Sequence, residues 1–159
     1  MPHFQLSNKC DGSTILLASS SIFLRFALGF SFLSAVADRF GLWGAFGEPH
    51  VAWGTFARFV AYTAQLTWFL PRAAAPSLAI VSTFAETLLG VLLLLGWQTR
   101  TTALLSGGLL LLFAVAMTGA LGIKAPLDAS VFSAAGGAFL LAGCAEYPFS
   151  IDQLRRTRI

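Results

Sequence analysis

The chain has 159 residues, of which 57% are hydrophobic and only 11% charged, and its formal net charge is +3. Soluble domains carry about 25% charged residues, so this composition excludes a soluble domain: the surplus of apolar surface has to face lipid. Much of the positive charge sits in Arg155, Arg156 and Arg158 at the C-terminus, which reads as a membrane-edge tail and not as a nucleic-acid patch.

A membrane-crossing helix needs roughly 20 mostly apolar residues. Four segments meet that need: residues 15–37, 78–97, about 102–121 and about 129–145. The connections after the second and third are short, which forces antiparallel neighbours. The fold expected is an all-α membrane protein, an antiparallel four-transmembrane-helix bundle in one domain, residues 1–159. Asp128 is the expected N-cap of the fourth helix, with Pro126 ending the segment before it. The first run has an alternative reading as a signal peptide, because Ala35-Val36-Ala37 resembles a cleavage site. Against this, the run is long for such a segment and carries Arg25 in its middle.

Between the first and second spans lies a long connection. It opens on the Gly-rich turn Arg39-Phe40-Gly41-Leu42-Trp43-Gly44. Residues 51–70 follow, rich in aromatics with scattered Arg58, Gln65 and Gly54, and bounded by Pro49 and Pro71. Aromatic residues mixed with polar ones suit a helix lying in the membrane interface; a spanning or re-entrant segment is the alternative.

Positive residues near the span ends set the orientation. With both termini in the cytoplasm, the inner side holds Lys9, Arg100, Arg155, Arg156 and Arg158, and the outer side Arg39, Arg58, Arg72 and Lys124. Cys10 and Cys144 then both face inward, form no metal-binding spacing and are not expected to pair. His3 and His50 lie outside the apolar runs, so two facing histidines cannot hold a haem in this chain alone. No metal-ligand cluster, phosphate loop or nucleophile elbow occurs, and nothing identifies an enzyme with chemistry of its own.

Two residues stand out as candidate site residues. Arg25 and Glu86 each sit near the middle of an apolar span, where a charge costs roughly 2.5–3.5 kcal/mol and seldom persists unpaired. Arg25 lies ten residues from Ile15 and Glu86 ten from Gly96, so both are expected about 15 Å from the inner surface, facing each other. One reading is a lock between two helices; the other is a proton-linked pair beside a quinone, with Ser82 on the same face. Ala79, Ser82, Glu86, Gly90, Leu93 and Trp97 on the second helix share a stripe, as do Ser21, Arg25, Gly29 and Phe32 on the first. Gly107-Gly108 on the third helix and Ser133, Gly136 and Gly137 on the fourth are small enough for close helix packing. At the outer rim, Asp38, Arg39, Lys124 and Asp128 are expected to form an exposed ion-pair group that orders the long connection without much energy of its own.

These residues resemble the DoxX family of small integral membrane proteins, over roughly residues 23–154. Leu24-Arg25-Phe26-Ala27-Leu28-Gly29 is similar to the family's opening Leu-Arg-x-x-x-Gly, and Arg39-Phe40-Gly41 imperfectly to its Lys-x-Phe-Gly. Glu86-Thr87-Leu88-Leu89-Gly90 with Gly96-Trp97-Gln98-Thr99-Arg100 is the most telling match. Ser150-Ile151-Asp152 is close to the family's Ser-Leu-Asp ending. The resemblance implies a multi-pass protein of the bacterial inner (plasma) membrane that works beside redox partners, some relatives being linked to quinone reduction.

Three functions follow as expectations. The first is a membrane subunit of a redox or electron-transfer complex, with quinone as its cofactor near Arg25, Ser82 and Glu86. The second is a non-catalytic subunit that anchors or assembles a larger membrane complex. A small-molecule carrier ranks last, because four short helices leave little room for a pathway. In each case the partners are the lipid bilayer and other membrane subunits, with no nucleic acid.

Overall fold

The computed structural model describes residues 7–156, with side chains at 12 and at 14–155. Lys9, Cys10 and Arg156 fall outside the described side chains, and His3 and Arg158 outside the described residues altogether. The chain is helical, with no strand among the described residues: α1 Ser7–Arg39, α2 Phe56–Leu66, α3 Ala75–Leu95, α4 Thr99–Leu121, α5 Lys124–Asp128, α6 Val131–Ala142 and α7 Ile151–Arg156. A single 3-10 turn, Arg72–Ala74, leads into α3.

Three helices are long and apolar enough to cross a membrane: α1 from Thr14 to Arg39, α3 with its leading turn, and α4. Large apolar side chains such as Phe23, Val81, Phe84, Leu105, Leu112 and Val115 point outward along them, the outer surface of a multi-pass membrane protein. The segment expected as a fourth span is divided. α6 has 12 residues, about 18 Å of helix against a hydrocarbon layer of about 30 Å. Before it stand α5 and a turn in which Ser130 takes a left-handed φ of 55°. Asp128 closes α5 and pairs with Lys124 one turn back; it does not cap α6. Pro126 sits in the first turn of α5, where its missing N–H is tolerated, and α4 ends instead at Gly122.

Residues 51–70 contain an 11-residue helix, α2, about 16 Å long and too short to cross alone. Thr55 caps it, its hydroxyl accepting from the Arg58 N–H, and it lies against α3 and α4.

The most extensive packing joins α4 to α6 and α1 to α3. One apolar core draws on all four: Leu28 and Phe32, Leu89 and Leu93, Ala103, and Ala138, Leu141 and Ala142. The stripe Ser21, Arg25, Gly29 and Phe32 on α1 is buried throughout. On α3, Ala79, Glu86, Gly90 and Leu93 are buried, whereas Ser82 is half-buried and Trp97 exposed. On α4, Gly107 meets the Phe139 ring while Gly108 faces outward; on α6, Gly137 meets Leu24, but Ser133 and Gly136 are exposed. Packing on α6 therefore falls to Ala135 and Ala138.

Gly29 and Gly90 set the register of α1 on α3. A Cβ at either would lie 3.1 Å from the other's carbonyl oxygen, so the two backbones touch as only small residues allow. Antiparallel pairing about that contact brings Arg25 level with Gly96, the end of α3. α1 then runs on for roughly 25 Å past that level, from Leu24 back to Ser7.

Candidate functional site

This register overturns the expected pairing of Arg25 with Glu86. The expectation aligned the near ends of α1 and α3, but the two helices are not flush. Glu86 meets a residue four turns farther along α1, Arg39. Arg39 Nη2 donates to both carboxylate oxygens of Glu86 at 2.7 Å, and Nη1 donates to the Thr83 hydroxyl at 2.8 Å. Thr83 in turn donates to the Ala79 carbonyl. Arg39 and Glu86 are each 2% exposed. Glu86 lies about 16 Å from the start of α3 and about 14 Å from its end, so the ion pair sits at the middle of the helix.

Two aromatic rings close the pair from the long connection. The Arg39 guanidinium carbon lies 3.7 Å from the Phe59 ring centre and 5.4 Å from that of Trp53, a cation–π arrangement that favours a desolvated guanidinium. Trp53 and Phe59 meet edge to face at 5.1 Å, and Tyr62 packs on Trp53, its phenol pushed up by burial. Asp38, 6% exposed, fastens the connection: its Oδ2 accepts from the N–H groups of Ala52 and Trp53 at 3.1 and 2.9 Å. Asp38 and Arg39 do order the connection as expected, but from buried positions, not from an exposed rim. Of these four residues, only Lys124 and Asp128 form an exposed ion pair.

Arg25, 1% exposed, lies where α1, the α3–α4 turn and the C-terminal segment converge. Its Nη1 and Nη2 donate to the carbonyls of Pro148 and Phe149 at 3.1 and 2.6 Å. Gly96, at φ 66°, makes the turn; a Cβ there would strike Ser150 and lie 2.9 Å from Arg25 Nη1, so glycine is needed for both conformation and space. Across the same turn Asp152 accepts from the N–H groups of Gln98 and Thr99 at 2.9 and 2.7 Å. A side chain some fifty residues away thus caps α4 and starts the helix three residues earlier than apolar patterning indicates. Arg155 lies over the Trp97 ring at 5.5 Å.

Of the expected site residues, then, Arg25 and Glu86 are buried but apart. Ser82 Oγ donates to Ala79 within its own helix at 3.1 Å, and the neighbouring Thr83 faces the ion pair. Sequence reasoning missed Arg39 as the partner of Glu86. The signal that finds it is Gly29 opposite Gly90: antiparallel alignment on those glycines sets Glu86 against the last two turns of α1, where Arg39 is the sole cation. The two principal clefts lie elsewhere. One, of about 470 Å³, runs between Arg100, Cys144, Tyr147 and Arg155; the other, of about 670 Å³, lies between α1 and the connection. The Nη groups of Arg39 and Arg25 are held by Glu86 and Thr83 and by the Pro148 and Phe149 carbonyls, the Nε of each is buried without a partner, and neither arginine nor Glu86 lines either cleft, an arrangement that can hold helices together. No family model, no curated protein and no solved structure matches this chain.

Proposed function

We propose that this protein is a non-catalytic membrane subunit that anchors or assembles a larger complex, crossing the bilayer four times with α5 and α6 as the fourth crossing. The observation that carries this reading is the closure of both buried cations: Arg39 on Glu86, and Arg25 on the Pro148 and Phe149 carbonyls. A proton-exchanging or quinone-holding site needs a group that changes partner and a space beside it; neither principal cleft is lined by Arg25, Ser82 or Glu86. The four-crossing topology is supported by the share that α6 takes in the common core. The exposed apolar faces are then the surfaces offered to lipid and to partner chains.

Purification from the native membrane in a gentle detergent tests this. The chain is expected in a larger assembly whose cofactors sit on other chains. Glu86→Gln is expected to lower the yield of that assembly while electron transfer per assembled complex stays unchanged. The DoxX-like redox subunit is the competing proposal. Stoichiometric quinone on the purified chain, with loss of quinone-dependent turnover in Glu86→Gln, would establish it instead.

A further inference from the structure

The larger cleft holds a feature that neither anchoring nor helix packing uses. It is a groove of about 670 Å³ between the second half of α1 and the long connection, lined by Phe30, Ser34, Asp38, Trp43, His50 and Trp53 among others. Asp38 Oδ2 is committed to two backbone N–H groups, but Oδ1 is buried with no hydrogen-bond donor. Of the buried polar atoms without a partner among the described residues, it alone belongs to a residue lining either cleft. Asp38 also has no cationic partner among the described residues, since the neighbouring Arg39 is spent on Glu86. A buried carboxylate oxygen without a donor is costly, and Phe30, Trp43 and Trp53 line the same groove as Asp38.

Carboxylate and aromatic faces together are the chemistry that receives an organic cation: the carboxylate supplies charge, and the ring faces replace its water. We propose that this groove binds the ammonium group of an amphipathic amine, its charged nitrogen beside the Asp38 carboxylate and its apolar body along Phe30, Trp43 and Trp53. A neutral alcohol matches the rings but not the uncompensated charge, and an anion is repelled by Asp38. The ammonium can be borne by a lipid headgroup or by a free amine; the chemistry at Asp38 is the same.

The full chain in detergent micelles provides the test. Indole emission is titrated with phenethylammonium and, in parallel, with its neutral isostere phenethyl alcohol. Lipid retention is measured by native mass spectrometry from equal phosphatidylethanolamine and phosphatidylglycerol. Ammonium binding is expected to exceed alcohol binding, and Asp38→Asn is expected to weaken it roughly tenfold or more. That substitution keeps a carbonyl oxygen for the Ala52 and Trp53 N–H groups. Trp43→Leu keeps the carboxylate, removes a wall, and is expected to weaken ammonium binding with helix content unchanged. Selective retention of phosphatidylethanolamine identifies a lipid headgroup as the source, and binding of phenethylammonium alone a free amine. Equal affinity for the alcohol, binding unaffected by both substitutions, or no binding of either ammonium probe overturns the proposal.

Discussion

Two buried guanidinium groups on one helix are stabilised in different ways. Arg39 meets a full opposite charge at the middle of α3, with a hydroxyl and two aromatic rings completing its surroundings. Arg25 donates to two backbone carbonyls and lies 5.3 Å from the Phe26 ring centre, beside the point where α3 gives way to α4. The difference follows from where each side chain meets α3. At the middle of α3 every backbone carbonyl is already bonded within the helix, so a cation there needs a side-chain counter-charge. Beside the end of α3 the non-helical segment before α7 passes close, its Pro148 and Phe149 carbonyls are free of helix bonds, and a guanidinium with five donors can gather them. The first arrangement joins two helices to the aromatic connection; the second ties the C-terminal segment to α1.

The sharpest way to break this comparison is to strip Arg39 of its charge partner. Glu86→Leu leaves a buried guanidinium uncompensated and is expected to cost about 3–5 kcal/mol, read as thermal unfolding in micelles. Adding Arg39→Met to that variant is expected to recover most of the loss, because two apolar side chains replace two charges; no recovery would mean that the pair does more than lock helices.

Arg25→Met is expected to cost less, about 1.5–3 kcal/mol. Its mark is local: backbone amides around Ser150 to Leu154 should exchange faster, while those of α2 stay protected. Uniform loosening of both regions would erase the distinction between them.

Smaller again is Asp152→Ala, which removes the acceptor for two amides at the start of α4. A loss of about 1–2 kcal/mol is expected, together with fraying confined to Gln98 through Thr101 in hydrogen exchange. The least effect belongs to Lys124→Ala. Its ion pair with Asp128 is exposed and one turn apart, so a change under about 0.5 kcal/mol is expected. A larger one would mean that Lys124 carries a contact outside this chain.

Much of the site was legible residue by residue. Glu86 and Arg25 announce themselves by cost, since a charge inside an apolar run has to be answered by something. The stripe Ser21, Arg25, Gly29 and Phe32 is buried in full because helical periodicity acts within one element. Arg39 was less legible. It follows an apolar run directly, where a cation ordinarily reaches the membrane surface, and its burial depends on Trp53 and Phe59 folding back over it. Asp152 gives no local sign that it caps α4, because a cap taken from a distant segment leaves no trace in the spacing around Gln98.

The amino-acid sequence by itself determined that this is a helical membrane protein, where its apolar runs lie, and which face of α1 turns inward, because those properties follow from the backbone period of each helix and from the cost of charge in lipid. The tertiary structure alone decided which charge meets which. Register between α1 and α3 is set by two glycines in contact and by how far α1 overruns its neighbour, both non-local. Sliding α1 about two turns from the register that would set Arg25 level with Glu86 brings its last turns, and the long Arg39 side chain, to Glu86 and leaves the pattern within each helix unchanged.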